Sequence, residues 1–176
     1  MTELSIYNDN SPRRLAEEIS ARTTERKPVF MCIGTDKVFS DSLGPRVGSL
    51  LNDKMTTPNF VYGMCRQNIT AENLDFCHKL IKRLHPDSQI VVIDAAVGSA
   101  DQIGSVQISD GGITPGAATN KNLPRVGDVG IVGIVAERGM ADFYTTASEK
   151  ERLVNKVANF IADAIIASSG AAIPTA

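Results

Sequence analysis

The 176-residue sequence lacks the features that would indicate binding to nucleic acid or insertion into a membrane. Its formal net charge is −2, so it offers no excess of positive charge to a polyanion or an anionic lipid surface. No apolar run approaches the roughly 20 residues that a membrane-spanning helix needs. We therefore expect neither nucleic acid nor a membrane among its partners.

Cysteines are few, and a secretion signal is missing. The three cysteines are an odd number with no CxxC spacing, which argues against a disulfide framework or a structural zinc site. Residues 1–5 do not form a basic region followed by an apolar segment, so we expect no signal peptide. A reducing cytoplasm is the predicted compartment.

Apolar runs and helical repeats alternate along the chain, which predicts a single α/β domain over residues 1–176. The predicted strands are residues 29–33, 60–64, 89–95, 105–109 and 129–136, and the main predicted helices are residues 11–26, 44–51, 70–84 and 149–167. This alternation predicts a mostly parallel sheet with helices on both faces. Residues 1–10 and 168–176 are predicted to be flexible.

Two aspartates each follow an apolar run at the carboxyl end of a predicted strand. Asp41 lies in a long loop after strand 29–33, and Asp94 follows four apolar residues in strand 89–95. If these strands are neighbours and strand 60–64 lies outside, a ligand crevice forms between them. We predict that both carboxylates flank this crevice as catalytic residues. The structural alternatives are a helix cap for Asp41 and an acceptor for loop amides for Asp94.

Four further residues are candidates for substrate binding. Asp36 lies near the strand end and is either a third carboxylate or a turn residue. The segment 114–121 is rich in small residues, which allow close approach of a ligand to the backbone, and it contains Gly116 and Asn120. Lys121 could orient a carboxylate, or it could simply be a solvated loop lysine.

The histidines and most cysteines are predicted to be structural. His85 ends a helix that runs antiparallel to the strands, so it should lie far from the catalytic edge, and His78 lies in the middle of that helix. Cys32 and Cys77 fall on apolar faces and are predicted to be buried. Cys65 is the one plausible reactive thiol, without an identifiable basic partner.

Three blocks of the sequence together resemble a known family. Residues 32–36 and 40–45 resemble the T-D…G-D-x-L-G-P signature of the YyaC-type sporulation proteins, and residues 92–95 resemble their second aspartate motif. Residues 115–128 are similar to the P-G-x-G-x-N-K-x-L-P-x-V-G-D block of that family, with Ala118 in place of the second glycine. The family is related to the germination protease of spores and to the hydrogenase-maturation peptidases.

This resemblance implies a three-layer α/β/α sandwich of the hydrogenase-maturation-peptidase type. It implies that Asp41 and Asp94 match the two aspartates proposed as catalytic in the germination protease. In the hydrogenase-maturation relatives the matching carboxylates hold nickel with the help of a later histidine. No histidine follows His85 here, which argues against a nickel-type site. A location in the forespore or the spore core follows from the same likeness.

The leading hypothesis is a cytoplasmic, sporulation-associated, aspartate-dependent peptidase with a protein or peptide substrate and no cofactor. Two close carboxylates do not both ionise easily, so one would hold a proton near neutral pH while the other activates water. One alternative is a metal-dependent hydrolase in which Asp36, Asp41 and Asp94 hold magnesium or calcium. Another is an inactive relative that binds a peptide or a partner protein. The sequence leaves homo-oligomerisation open.

Overall fold

The computed structural model describes residues 1–23, 26–55, 60–116, 123–139 and 146–170. Within these ranges the strands are β1 (Thr2–Ser5), β2 (Pro28–Cys32), β3 (Val61–Tyr62), β4 (Gln89–Gly98), β5 (Ser105–Asp110) and β6 (Val129–Glu137). The α-helices are α1 (Ser11–Arg22), α2 (Leu43–Lys54), α3 (Leu74–Leu84) and α4 (Ala147–Ser168). None of these described helices is long and apolar enough to cross a bilayer.

The strands form one mixed sheet in the order β1-β5-β6-β4-β2-β3. Strands β3, β2, β4 and β6 are parallel, whereas β5 pairs antiparallel with both β6 and β1. Strand β2 therefore lies between β3 and β4, which is the arrangement that the sequence predicts for a crevice. Asp94 lies on β4 at this point, next to the carboxyl end of β2.

Alternate residues of the inner strands supply hydrophobic cores on the two faces of the sheet. Phe30 and Val91 pack in the core that includes α1, α2 and α4, whereas Met31 and Val92 pack in the smaller core that includes α3. Continuous apolar runs occur in these strands because both of their faces are covered. The result is the predicted three-layer α/β/α sandwich, with three of the described helices on one face and one on the other.

The amino terminus departs from the flexible segment that the sequence predicts for residues 1–10. Residues Thr2–Ser5 form β1 and pair with β5, and Leu4 is only 3% exposed in the larger core. Pairing with a strand a hundred residues away orders this segment, so local sequence patterns do not reveal it. At the other end, α4 continues through Ser168 and a turn follows to Gly170, whereas residues 171–176 lie outside the described residues.

Candidate functional site

Backbone contacts hold Asp41 against the end of β2. Gly34 leaves the strand with a φ of +130°, and a Cβ there would lie 2.0 Å from the Asp41 carbonyl oxygen, so glycine is required. The Thr35 amide donates to that carbonyl oxygen at 3.0 Å and to Oδ2 of Asp41 at 3.0 Å. The Asp41 carboxylate thus fastens its own loop and does not cap α2, which begins without a side-chain cap.

Asp94 belongs to the sheet itself. The alternation of β4 directs its side chain to the α3 face, like Val92, and the residue is only 7% exposed. Its Oδ1 accepts a hydrogen bond from the Ala95 amide at 2.8 Å. Burial, reinforced by the negative charge of Asp41, raises the pKa of Asp94 to about 7, although the Ala95 amide opposes the rise. The Asp94 carboxyl group is therefore substantially protonated at neutral pH.

The two aspartates differ in depth, and this difference decides where a proton resides. Burial also raises the pKa of Asp41, with the Thr35 amide opposing the rise. Asp41 is only partly buried, however, whereas Asp94 is almost fully enclosed. Because a negative charge costs more free energy at the deeper position, a proton held by the pair resides chiefly on Asp94.

Both carboxyl groups line one open cavity of about 1420 Å³ at the carboxyl ends of β2 and β4. Pockets for small molecules usually enclose roughly 300–1000 Å³, so this cavity has room for a segment of polypeptide. Residues 94–98 of β4 form a continuous part of its wall. Other lining residues include Val38, Thr70, Gln107, Ile113, Val132 and Ile134. The cavity therefore combines a wall of mixed polar and apolar character with two carboxyl groups at one place.

The structure brings together three of the six residues that the sequence singled out. Asp41, Asp94 and Gly116 all line the cavity. Asn120 and Lys121 lie outside the described residues. Their predicted part in substrate binding stays a prediction.

Asp36 does not reach the cavity. Its Oδ2 accepts a hydrogen bond at 2.8 Å from the amide of Arg66, a residue whose φ is +67°. Asp36 is therefore a turn residue, which is the structural alternative that the sequence left open for it. The three carboxylates considered for magnesium or calcium do not form one group, and the described ranges contain no cluster of three His, Cys, Asp or Glu side chains that could hold a metal ion.

The histidines do not fit a nickel site either, because each is bound elsewhere. Nε2 of His78 accepts a hydrogen bond from the Gly127 amide at 3.2 Å. Nε2 of His85 lies 2.8 Å from the Tyr62 hydroxyl, at the β3 side of the sheet. The histidines therefore leave a nickel-type site without its nitrogen ligand, and the absence of a cofactor stays a prediction.

The cysteines are also separate from the cavity lining. Cys32 is fully buried, as predicted, and burial raises the pKa of its thiol. Cys77 is less buried than its position on the apolar face of α3 predicts, and it packs at the edge of the smaller core. Cys65 is partly exposed. Its backbone amide donates to the Ser49 hydroxyl at 3.1 Å, and neither residue lines the cavity.

Sequence analysis missed the second half of β4 as part of the site. It predicted a strand over residues 89–95, whereas β4 continues to Gly98 and residues 95–98 line the cavity. The available signal was the apolar Ala95-Ala96-Val97, which prolongs the run beyond Asp94. Gln107 was also missed, because its place beside the cavity depends on the antiparallel pairing of β5 with β6.

Comparison with known proteins agrees with this architecture. The family described as "Protein of unknown function (DUF1256)" matches residues 3–164. "Uncharacterized protein YyaC" of Bacillus subtilis (strain 168) is 37% identical over 147 residues, which cover 83% of this chain and 72% of that protein. The NiFe hydrogenase maturation protease HycI from Thermococcus kodakarensis KOD1 superposes with a TM-score of 0.53 at 17% identity, covering 84% of this chain and 98% of that one, and this likeness shows the fold. Because the family match extends over nearly the whole sequence, the chain belongs to the DUF1256 family.

Proposed function

We propose that the chain is an aspartate-dependent peptidase in which Asp41 and Asp94 act together on a peptide bond. The observation that carries this proposal is one cavity shared by a partly buried carboxylate and an enclosed carboxyl group whose pKa is raised to about 7. Carboxyl groups with perturbed pKa values in a cleft are concentrated at functional sites. The likeness of the fold to that of a maturation protease adds support.

The two groups divide the roles of acid and base. Asp94 is the acid: Oδ1 accepts from the Ala95 amide, so Oδ2 carries the proton and donates it to the scissile carbonyl oxygen. Ionised Asp41 accepts a proton from a water molecule as the water oxygen attacks the carbonyl carbon. Collapse of the tetrahedral intermediate returns the proton from the carbonyl oxygen to Asp94 and breaks the C–N bond. As that bond breaks, the leaving nitrogen takes the proton held by Asp41 and departs as an amine.

The resemblance to YyaC-type sporulation proteins directs the proposal to a substrate in the developing spore. Small acid-soluble spore proteins are the substrates of the related germination protease, and we propose them as the first class to test. Action in the forespore or the spore core is part of the same proposal. The size of the cavity, about 1420 Å³, suits an extended segment of such a substrate.

The experiment is incubation of the purified chain with small acid-soluble spore proteins and with a peptide library, followed by mass spectrometry of the products. We expect Asp41→Asn and Asp94→Asn each to slow cleavage at least 100-fold, in line with typical losses of an acid or a base. Asp75→Asn is the matched control, because Asp75 is exposed on α3, outside the cavity lining, and forms a surface ion pair with Lys79. Cleavage that survives both active-site substitutions would defeat the assignment.

Two further results would redirect the proposal. Activity that disappears on treatment with a chelator and returns with magnesium or calcium would instead support a metal-dependent hydrolase. Binding of a spore protein without any product on prolonged incubation would support an inactive relative that acts as a binding protein.

A further inference from the structure

Strand β4 continues beyond the point where its neighbour β2 ends. The pairing of the two strands stops at Cys32 and Ile93, and the last backbone contact is the Ile33 amide donating to the Ile93 carbonyl oxygen at 2.8 Å. On its other side, β4 stays paired with β6 as far as Gly98, with a shift of register between Ala96 and Val97 because β6 contributes one extra residue there. Within the described part of the chain, no strand pairs with residues 95–98 on the side that β2 has left.

The alternation of the strand identifies the backbone groups at this open edge. The Ile93 carbonyl points toward β2, so Ala95 and Val97 also present their N–H and C=O groups to that side. Gly98 has the opposite phase, since its carbonyl oxygen accepts from the Arg138 amide at 2.8 Å. The Ala95 amide is held by Oδ1 of Asp94 at 2.8 Å. The open edge therefore begins at the carboxyl pair itself.

The side chains of this edge favour close approach by another backbone. The edge sequence, Ala95-Ala96-Val97-Gly98, is small and has none of the lysines or prolines that commonly block pairing at exposed edges. All four residues line the cavity. Val38, which is 51% exposed, lines the same cavity from the loop that carries Asp41 and adds an apolar side chain to it.

We propose that an extended, small and apolar polypeptide segment binds as an added strand along Ala95–Gly98 and so presents one of its peptide groups to Asp41 and Asp94. This inference rests on the proposed function for the identity of the occupant as substrate. Main-chain hydrogen bonds to Ala95 and Val97 supply affinity that is independent of sequence, and side-chain contacts with the cavity wall supply selectivity.

The test uses the full-length Asp94→Asn variant, in which the amide oxygen still accepts from the Ala95 amide while turnover is blocked. An end-capped octapeptide that binds this variant is selected from a random octapeptide library. Each of its amide nitrogens is then methylated in turn, and the dissociation constants are measured. We expect N-methylation at two positions, two residues apart, to weaken binding at least tenfold and N-methylation between them to change it less than threefold, because only Ala95 and Val97 face the added strand.

A pair of variants tests the same edge by changing the protein in place of the peptide. Val97→Pro removes the edge amide and places a ring where the added strand would lie, whereas Val97→Ala keeps the amide. We expect Val97→Pro to weaken octapeptide binding at least tenfold more than Val97→Ala does, because both variants lose the valine side chain and only the proline variant also loses the amide. If Val97→Pro fails to fold, as judged by circular dichroism, the N-methyl series decides alone.

The outcomes separate this inference from the proposed function. Alternating loss of binding with no cleavage by the unmodified chain supports the added strand and overturns the peptidase. Cleavage with an N-methyl series that shows no alternation overturns the added strand and leaves the peptidase standing. A library that yields no binding octapeptide also overturns the added strand.

Discussion

The carboxyl groups of Asp41 and Asp94 line the same cavity, but one is carried by a loop and the other by a strand. Asp94 stands on an inner strand, and its pKa is set mainly by burial on the α3 face of the sheet. Asp41 stands on an irregular loop that is held by backbone contacts with Gly34 and Thr35. The comparison teaches that the sheet sets the proton affinity of one group, whereas the loop sets the position of the other.

The largest expected effect concerns the pH dependence of catalysis. Only the protonated form of Asp94 can donate, and its pKa is about 7. We therefore expect kcat/KM to fall about tenfold per pH unit above that value, or about 100-fold over two units. On the acid side, the rate should fall as Asp41 takes up a proton, at a pH above the usual aspartate value because burial raises its pKa. A rate that stays level well above neutral pH would contradict this division of roles.

Stability should respond to the same proton, and the sign of its pH dependence is unusual for a carboxyl group. Between the usual pKa of 3.8 and the folded value of about 7, folded Asp94 holds a proton that the unfolded chain has released. Wild-type stability therefore falls as pH rises through this window. We expect Asp94→Asn to raise the free energy of unfolding by about 4 kcal/mol above this window and to change it little below it.

The measurement for Asp94→Asn is urea unfolding across the pH range. Asp41→Asn is the comparison variant, and we expect a gain of the same sign but smaller, because Asp41 is less buried. Equal gains for the two variants, or a gain that does not change with pH, would contradict the inference that burial affects the charge of Asp94 more than that of Asp41.

A substitution in the loop that carries Asp41 should move Asp41 without changing the proton affinity of Asp94. Gly34→Ala forces a Cβ to within 2.0 Å of the Asp41 carbonyl oxygen at a φ of +130°, so we expect unfolding free energy to fall by about 3 kcal/mol. Cleavage should be lost, because the Asp41 loop must move. The pKa of Asp94 should stay well above the usual range, as measured by carboxyl infrared titration, since burial is its main cause.

Gly170→Ala provides the control for Gly34→Ala. Gly170 also has a positive φ, +81°, but no atom of the described residues lies within 4 Å of the position of its Cβ. The cost there should be only about 1 kcal/mol, with cleavage retained. Similar costs at the two glycines would show that the close contact with Asp41 does not determine the loop.

The smallest expected effect lies at the junction between this loop and α2. Ser42 is 1% exposed, and its hydroxyl donates to the Phe39 carbonyl oxygen at 2.9 Å and accepts from Nε of Arg46 at 3.1 Å. Ser42→Ala removes both side-chain hydrogen bonds and leaves the Phe39 carbonyl with the Ser42 amide alone, so we expect a loss of about 1–2 kcal/mol in thermal or urea unfolding. Ser169→Ala, at an exposed hydroxyl that bonds only locally, should cost less than about 0.5 kcal/mol. Equal costs would show that burial of Ser42 does not matter.

The inner part of the fold could be predicted because its sequence signals are local. The apolar runs that form β2, β4 and β6 are long and continuous, which indicates inner parallel strands, and Asp94 interrupts one of them. The neighbouring positions of β2 and β4 then followed from the alternation of strands and helices. Asp41 and Asp94 could be paired on this basis before their surroundings were known.

Other features depend on contacts that sequence patterns do not contain. Strand β1 exists through its pairing with β5, and a polar four-residue segment gives little local signal for it. The role of Asp36 is set by the Arg66 amide thirty residues away. The open edge of β4 depends on how far β2 extends beside it, and the end of a strand is set by its neighbours as much as by its own residues.

The hydrogen bond from the Ala95 amide to Asp94 links two equilibria. That bond lowers the pKa of Asp94, in opposition to burial and to the charge of Asp41. Any carbonyl oxygen that takes the Ala95 amide for itself removes this lowering and increases the affinity of Asp94 for its proton. By thermodynamic reciprocity, proton uptake at Asp94 must then tighten the hold on that carbonyl, so acidification and occupancy of the site favour each other.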